Sequence, residues 1–145
     1  MLIRKCSLLD LAGILILSLV IGLVSSHAYA GGEMPESPDE IQDSWSSIFY
    51  CQEIYQEPDV KGRIYPGDLQ SCEKSDRLIR WLISTRYSPR DRQVLEQNAR
   101  NKSGAILYNT RSVQEAIMAC RQQCRQFSAS YDQKVASGEI SPVEQ

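Results

Sequence analysis

The chain has 145 residues, of which 42% are hydrophobic and 23% are charged, and its formal net charge is −2. This is the composition of an ordinary globular protein, and it excludes a collagen-like repeat, a long disordered tail and a protein with several membrane spans. At this length we expect a single domain.

Residues 1–30 have the pattern of an export signal. Arg4 and Lys5 give a basic start, Leu11 to Val24 form an apolar run of fourteen residues, and Ala28-Tyr29-Ala30 is a small-residue cleavage motif. Cleavage at this motif makes Gly31 the first residue of the mature chain. The apolar run is shorter than the roughly 20 residues of a membrane-spanning helix. An uncleaved membrane anchor is the alternative interpretation.

Removal of the signal also removes Cys6 and the single histidine of the chain, His27. Four cysteines and no histidine remain. This excludes a Ser-His-Asp triad, a Cys-His nucleophile pair and any metal or haem site that needs imidazole. The sequence also lacks the serine hydrolase, zinc protease and phosphate-loop motifs. We therefore predict a protein that is not an enzyme and that holds no metal and no cofactor.

The first half of the mature chain predicts two helices. Ser37-Pro38-Asp39-Glu40 is a capping box with proline at the first helical position, and apolar residues then recur at helical spacing over 38–56. The stretch from Glu57 to Gly67 contains two prolines and two glycines and predicts a loop. Asp68 is expected to cap a second helix that ends near Arg86.

The second half predicts a short helix and then a long one. Ser88-Pro89 starts the short helix, which has few apolar residues and is expected to end near Asn101, before Gly104. The following residues, Ala105 to Tyr108, are expected to be extended. A capping box at 112–115 then starts the longest helix, which is predicted to end at Ala136.

These elements predict an all-α fold, a bundle of three long helices and one short helix. The expected domain covers residues 38–137. We expect a flexible leader at 31–37 and a flexible tail at 138–145.

An even number of cysteines in an exported chain favours disulfides. Cys120 and Cys124 lie one turn apart on one helix, so a bond between them has awkward geometry. Each is therefore expected to pair with Cys51 or Cys72. We favour Cys51–Cys124 with Cys72–Cys120 slightly over the crossed arrangement. A zinc site or a thiol redox pair is the alternative use of these four residues.

Charge is segregated along the chain. Residues 33–59 contain eight acidic residues and no basic one, whereas residues 61–125 contain thirteen basic residues, ten of them arginine. One interpretation is an arginine surface for an anionic partner. The other is that the acidic first helix docks on the basic part of the same chain. Arg86, Arg90 and Arg92 have the fewest acidic neighbours in sequence and are the candidate binding residues.

Three tyrosines in predicted loops, Tyr65, Tyr87 and Tyr108, are further candidates for partner contact, because tyrosine is enriched at interfaces. The leading hypothesis is a periplasmic or secreted interaction module that binds a protein or an anionic envelope component. We do not expect it to bind nucleic acid, because the mature chain is acidic. The alternatives are an accessory subunit anchored by an uncleaved N-terminal helix, and a thiol redox protein.

Overall fold

The computed structural model describes residues 34–109 and 112–142, and of Tyr108 the backbone alone. The predicted export signal lies outside these residues. The stretch Gly31–Gln145 forms one compact unit. Its described part is all-helical, with five helices and no strand: α1 (Pro38–Ile54), α2 (Pro58–Lys61), α3 (Pro66–Arg86), α4 (Pro89–Tyr108) and α5 (Val113–Ala136).

The helix start at Ser37 is confirmed. The Ser37 hydroxyl accepts the backbone N–H of Glu40, and the Glu40 carboxylate accepts the backbone N–H of Ser37. The helix ends at Ile54, slightly before the predicted residue 56. The predicted loop from Glu57 to Gly67 contains the one-turn helix α2, because Pro58 takes the first helical position there and Val60 is buried.

The prediction that Asp68 caps α3 is wrong, because Asp68 lies in the first turn of the helix. The helix begins two residues earlier, at Pro66, whose fixed φ angle suits the first helical position. The Asp68 carboxylate accepts the backbone N–H of Tyr65, the residue that precedes the helix. The acidic side chain therefore still satisfies a backbone donor at the helix start, but from inside the helix.

The helix predicted to start at Ser88-Pro89 is present, but its predicted end is wrong, because α4 continues through Gly104 to Tyr108 and has 20 residues. The predicted extended segment at 105–108 is part of this helix. Ala99 and Ser103 are fully buried, and Ile106 and Leu107 pack against the core. These tertiary contacts outweigh the roughly 1 kcal/mol that a glycine costs inside a helix. The bundle thus has four long helices and the one-turn α2.

The start of α5 is confirmed, because the Ser112 hydroxyl accepts the backbone N–H of Glu115. The helix ends at Ala136, and Gly138 then takes a positive φ of 79°, a conformation that glycine adopts without strain. The backbone N–H of Ile140 donates to the carbonyl of Lys134, which folds the chain back and buries the Ile140 side chain.

Helix α1 packs against α3, α4 and α5. Because Arg86, at the end of α3, contacts Pro35, just before α1, helices α1 and α3 are antiparallel. Helices α3 and α5 are parallel, since Asp68 contacts Arg121 and Lys74, further along α3, contacts Asp132.

Two core clusters fill the bundle. The larger one surrounds Trp45 and includes Ile140, and the partly buried Met34 packs against it. The packed domain therefore extends beyond the predicted limits of 38 and 137, because apolar residues on both flanks fold onto the core. The smaller cluster contains Tyr55, Val60 and four cysteines: Cys51, Cys72, Cys120 and Cys124.

Candidate functional site

The four cysteines form two disulfides, Cys51–Cys120 and Cys72–Cys124, with Cα–Cα distances of 5.3 and 4.6 Å. The favoured pairing was therefore wrong, and the crossed arrangement is the one found. The reason is the parallel register of α3 and α5. Asp68 contacts Arg121, so one turn further along both helices Cys72 reaches Cys124.

Both disulfides are shielded from solvent, since none of the four cysteines is more than 2% exposed. Because their sulfur atoms are joined in pairs, they offer no thiolate to a metal. Within the described ranges, no group of three or more His, Cys, Asp or Glu side chains is arranged to hold a metal ion.

A buried ion pair lies beside the disulfides. The Asp68 side chain is 1% exposed, and Nε and Nη2 of Arg121 donate to its two oxygens at 2.8 to 3.1 Å. The hydrogen bond from Arg121 is the main cause of the lowered pKa of Asp68. The Arg121 guanidinium also lies 5.1 Å from the ring centre of Tyr65. This pair joins α3 to α5 at the disulfide end of the bundle.

Tyr55 is a second polar residue at this end. Its side chain is 2% exposed and its hydroxyl has no hydrogen-bond partner among the described residues. Burial, followed by the negative charge of Asp68, raises the pKa of Tyr55 to about 12. The phenol is thus neutral at physiological pH. No sequence motif predicted that Asp68, Arg121 and Tyr55 would lie together. The acidic residue one turn before Cys72 and the arginine one turn before Cys124 are the sequence features that could have indicated the ion pair.

A third polar network lies at the middle of the bundle. Nε1 of Trp45 donates to Asp76 at 2.8 Å, and Arg80 lies over the indole ring while it binds Asp76 and Glu96. Arg100 also binds Glu96. The hydrogen bond from Arg80 is the main cause of the lowered pKa of Glu96. This network is structural, since each of its carboxylates is bound by an arginine of the same network.

The predicted binding residues Arg86, Arg90 and Arg92 differ from these arginines. Among the residues that the structure describes, none of the three forms an ion pair. They lie at the junction of α3 and α4, where Arg86 is the last residue of α3 and the other two belong to the first turns of α4. We call these three residues the arginine corner.

The side chains of the arginine corner point in different directions. Nη1 of Arg86 donates to the carbonyl of Pro35 at 3.3 Å, towards the start of α1. Arg92 lines a cleft of about 300 Å³ between α3 and α4, together with Ile83 and Pro89. Arg90 is exposed. The structure thus brings the three residues to one end of the bundle without converging them on one point.

Few acidic residues of α1 form ion pairs with the basic part of the chain. Asp43 pairs with Lys102, and this is the one ion pair that the described residues show for an acid of α1. The Glu40 carboxylate is used in the helix cap. Docking of the acidic helix through ion pairs is therefore limited to Asp43 within the described ranges.

The three candidate tyrosines have different surroundings. Tyr65 is 66% exposed and stays available for partner contact. Tyr87 follows α3 directly and packs, partly buried, against the larger core cluster. The side chain of Tyr108 lies outside the described part of the structure.

A cleft of about 610 Å³ lies between α4 and α5. Ala105, Ala116 and Ala119 give it an apolar lining, and Lys102 and Glu115 lie at its edges. No helix in the described ranges is both long and apolar enough to span a bilayer. Comparison with protein-family models, curated proteins and solved structures found no match.

Proposed function

We propose that this protein is an exported, non-catalytic binding module that holds an anionic partner at the arginine corner. The observation that carries the proposal is the contrast among the arginines. Arg80, Arg100 and Arg121 are bound to carboxylates of the same chain. The arginine corner instead places three arginines without such a partner in the described structure within the seven residues 86–92. Unpaired guanidinium groups at a surface attract anions and bind phosphate or carboxylate oxygens.

Export is supported by two features. Buried disulfides such as Cys72–Cys124 are typical of proteins from oxidising compartments. The sequence before residue 31 also has the order of a cleavable signal. The two together favour a periplasmic or secreted location.

The absence of histidine after residue 27 supports a binding role over catalysis. Among the described residues, the four acidic groups whose pKa is lowered are all held by donors: Asp68 and Glu96 by arginine, Glu139 by Lys134, and Glu40 by backbone N–H groups. A carboxylate fixed in this way as an anion is a poor general acid or base near neutral pH.

Binding to dextran sulfate, a soluble polyanion, tests the proposal. Replacing the arginine corner with alanine is expected to weaken binding about tenfold, because three exposed charge interactions of about 0.5 kcal/mol each sum to about 1.5 kcal/mol. Raising the salt concentration is expected to weaken the wild-type protein and to bring it towards the variant.

The matched control replaces Lys61, Arg63 and Arg77, three exposed cations that also form no ion pair within the described ranges. Both triple variants change the net charge by the same amount. If the control weakens binding as much as the arginine corner does, the effect is one of net charge alone and the proposed site is wrong.

A further inference from the structure

The arginine corner lies where the preceding part of the chain enters the described structure. Arg86 contacts Pro35, and Met34 packs against the core beside it. This end of the bundle therefore carries Met34 and Pro35 beside the last residue of α3.

The side-chain directions indicate the shape of the partner. Two or three guanidinium groups that converge can enclose a single phosphate. Here Arg86 donates to the Pro35 carbonyl, Arg92 lines the cleft between α3 and α4, and Arg90 is exposed. Such a spread matches an anionic surface, on which many phosphates lie side by side, better than it matches one small ion.

An exposed apolar side chain accompanies the arginines. Val94 is 52% exposed and lies one turn after Arg90, so the two side chains are neighbours on α4. A cation beside an exposed apolar group is typical of segments that lie at the boundary between lipid head groups and acyl chains. The corner thus offers both contacts that a membrane surface needs.

Carboxylates around the corner are partly occupied. Glu96 lines the same cleft as Arg92, but it is bound by Arg80 and Arg100. Asp91 accepts the Ser88 hydroxyl, and Glu40 accepts the backbone N–H groups of Glu36 and Ser37. Glu36 and Asp39 are exposed and follow closely in sequence after Pro35, the residue that Arg86 contacts. These two residues oppose an anionic surface, and their removal provides a test with the opposite sign.

We propose that the arginine corner docks on a bilayer surface that contains anionic phospholipids. The guanidinium groups bind the lipid phosphates, and Val94 touches the interface. This rests on the proposed function and names its anionic partner as a lipid surface. It does not require that the signal stay attached, because the docking residues all belong to the folded domain.

Vesicle flotation tests this proposal. The protein is expressed from its complete sequence and recovered from cells, and its intact mass shows whether it begins at Gly31. Vesicles of phosphatidylcholine alone are compared with vesicles that contain 30% phosphatidylglycerol. We expect binding to the anionic vesicles and a loss of about a hundredfold in R86A/R90A/R92A, since each arginine near an anionic surface contributes about a factor of five.

Two further variants complete the test. The double variant Glu36→Gln/Asp39→Asn is expected to strengthen binding to anionic vesicles. The triple variant of Lys61, Arg63 and Arg77 is expected to change this binding much less than the corner variant does. If residues 1–30 are retained, hydrogen exchange over residues 86–94 replaces flotation as the readout. Slower exchange on anionic vesicles than on neutral ones is then expected.

The outcomes separate the two proposals. Binding to dextran sulfate that depends on the corner, with no corner-dependent effect of anionic vesicles, overturns the membrane inference and leaves the proposed function in place. If the corner variant binds dextran sulfate and anionic vesicles as well as the wild-type protein does, both proposals are overturned. Equal losses from the corner and control variants on vesicles assign the effect to net charge and also overturn the membrane inference.

Discussion

Asp68 and Arg121, which lie 53 residues apart, form an ion pair in which one guanidinium contacts both oxygens of a buried carboxylate. The pair fixes the register of α3 against α5. One turn further along, Cys72 meets Cys124, and Ser75 donates to the carbonyl of Cys124 at 2.8 Å. The charge pair and the disulfide thus hold the same two helices at neighbouring levels.

Replacing Asp68 with alanine is expected to lower the free energy of unfolding by about 2–3 kcal/mol. Breaking a buried pair typically costs about 3–5 kcal/mol. The loss is smaller here because the Arg121 side chain is 27% exposed and can be rehydrated. Urea denaturation measures the change. Lys74→Met is the control, because its pair with Asp132 is more exposed and is expected to contribute less than about 1 kcal/mol. Equal losses in the two variants would contradict this assignment.

Acid is expected to destabilise the fold through the same carboxylate. The pKa of Asp68 is lower in the folded protein than in the unfolded chain, so its contribution is present above the unfolded value of about 4. The contribution is lost as the pH falls through the lower, folded value. Urea denaturation at pH 6 and at pH 3 checks this dependence. In Asp68→Asn we expect a smaller difference between the two pH values, and an unchanged difference would show that other carboxylates carry it.

Each disulfide is expected to contribute about 4 kcal/mol to stability, by chain entropy, since the bridges join residues 69 and 52 positions apart. Thermal unfolding of Cys51→Ala/Cys120→Ala and of Cys72→Ala/Cys124→Ala tests this. Peptide mapping without reduction must first recover Cys51 linked to Cys120. Recovery of Cys51 linked to Cys124 would contradict the structure directly.

The burial of the disulfides distinguishes a structural from a redox role. Because all four cysteines are at most 2% exposed, we expect the bridges to resist mild reductant until the protein unfolds. Thiol alkylation followed by intact mass, with and without urea, is the measurement. A bridge that is reduced in the folded protein would restore the thiol redox hypothesis.

Trp45→Phe is expected to cost about 2 kcal/mol. The indole is fully buried, and its Nε1 donates to Asp76. Phenylalanine loses that hydrogen bond and leaves a small cavity. Trp81→Phe is the control, because Trp81 is partly buried at the edge of the same cluster and is expected to cost about 1 kcal/mol or less. A larger loss of stability in Trp81→Phe than in Trp45→Phe would contradict the central position of Trp45 in the core.

Local signals in the sequence identified most helix starts. Ser37 and Ser88 each precede a proline, and both hydroxyls accept a backbone N–H three residues later, as predicted. The same proline signal was present at Pro66, but the surrounding glycines favoured a loop. A capping pattern depends on a few neighbouring residues, and for this reason it can be read without the fold.

The remaining errors concern contacts between distant residues. The continuation of α4 through Gly104 depends on burial of Ala99 and Ser103 against other helices. The disulfide pairing depends on the register of α3 and α5, which the spacing of the cysteines does not contain. Among the candidate site residues, the arginine corner was selected for its few acidic neighbours in sequence, and the described residues show no ion pair for it. Sequence neighbours could not indicate the contact of Arg86 with Pro35.

The order of the cysteines along the chain has a consequence for biosynthesis. Cys51 and Cys72 leave the ribosome well before Cys120 and Cys124, and the partners of both lie in α5. If the chain is exported while it is being synthesised, an oxidase meets the first two before their partners and can join them in a bridge that the folded protein lacks. Thiol exchange must then resolve that bridge. In an oxidising compartment, the yield of this protein is therefore expected to depend on a disulfide isomerase.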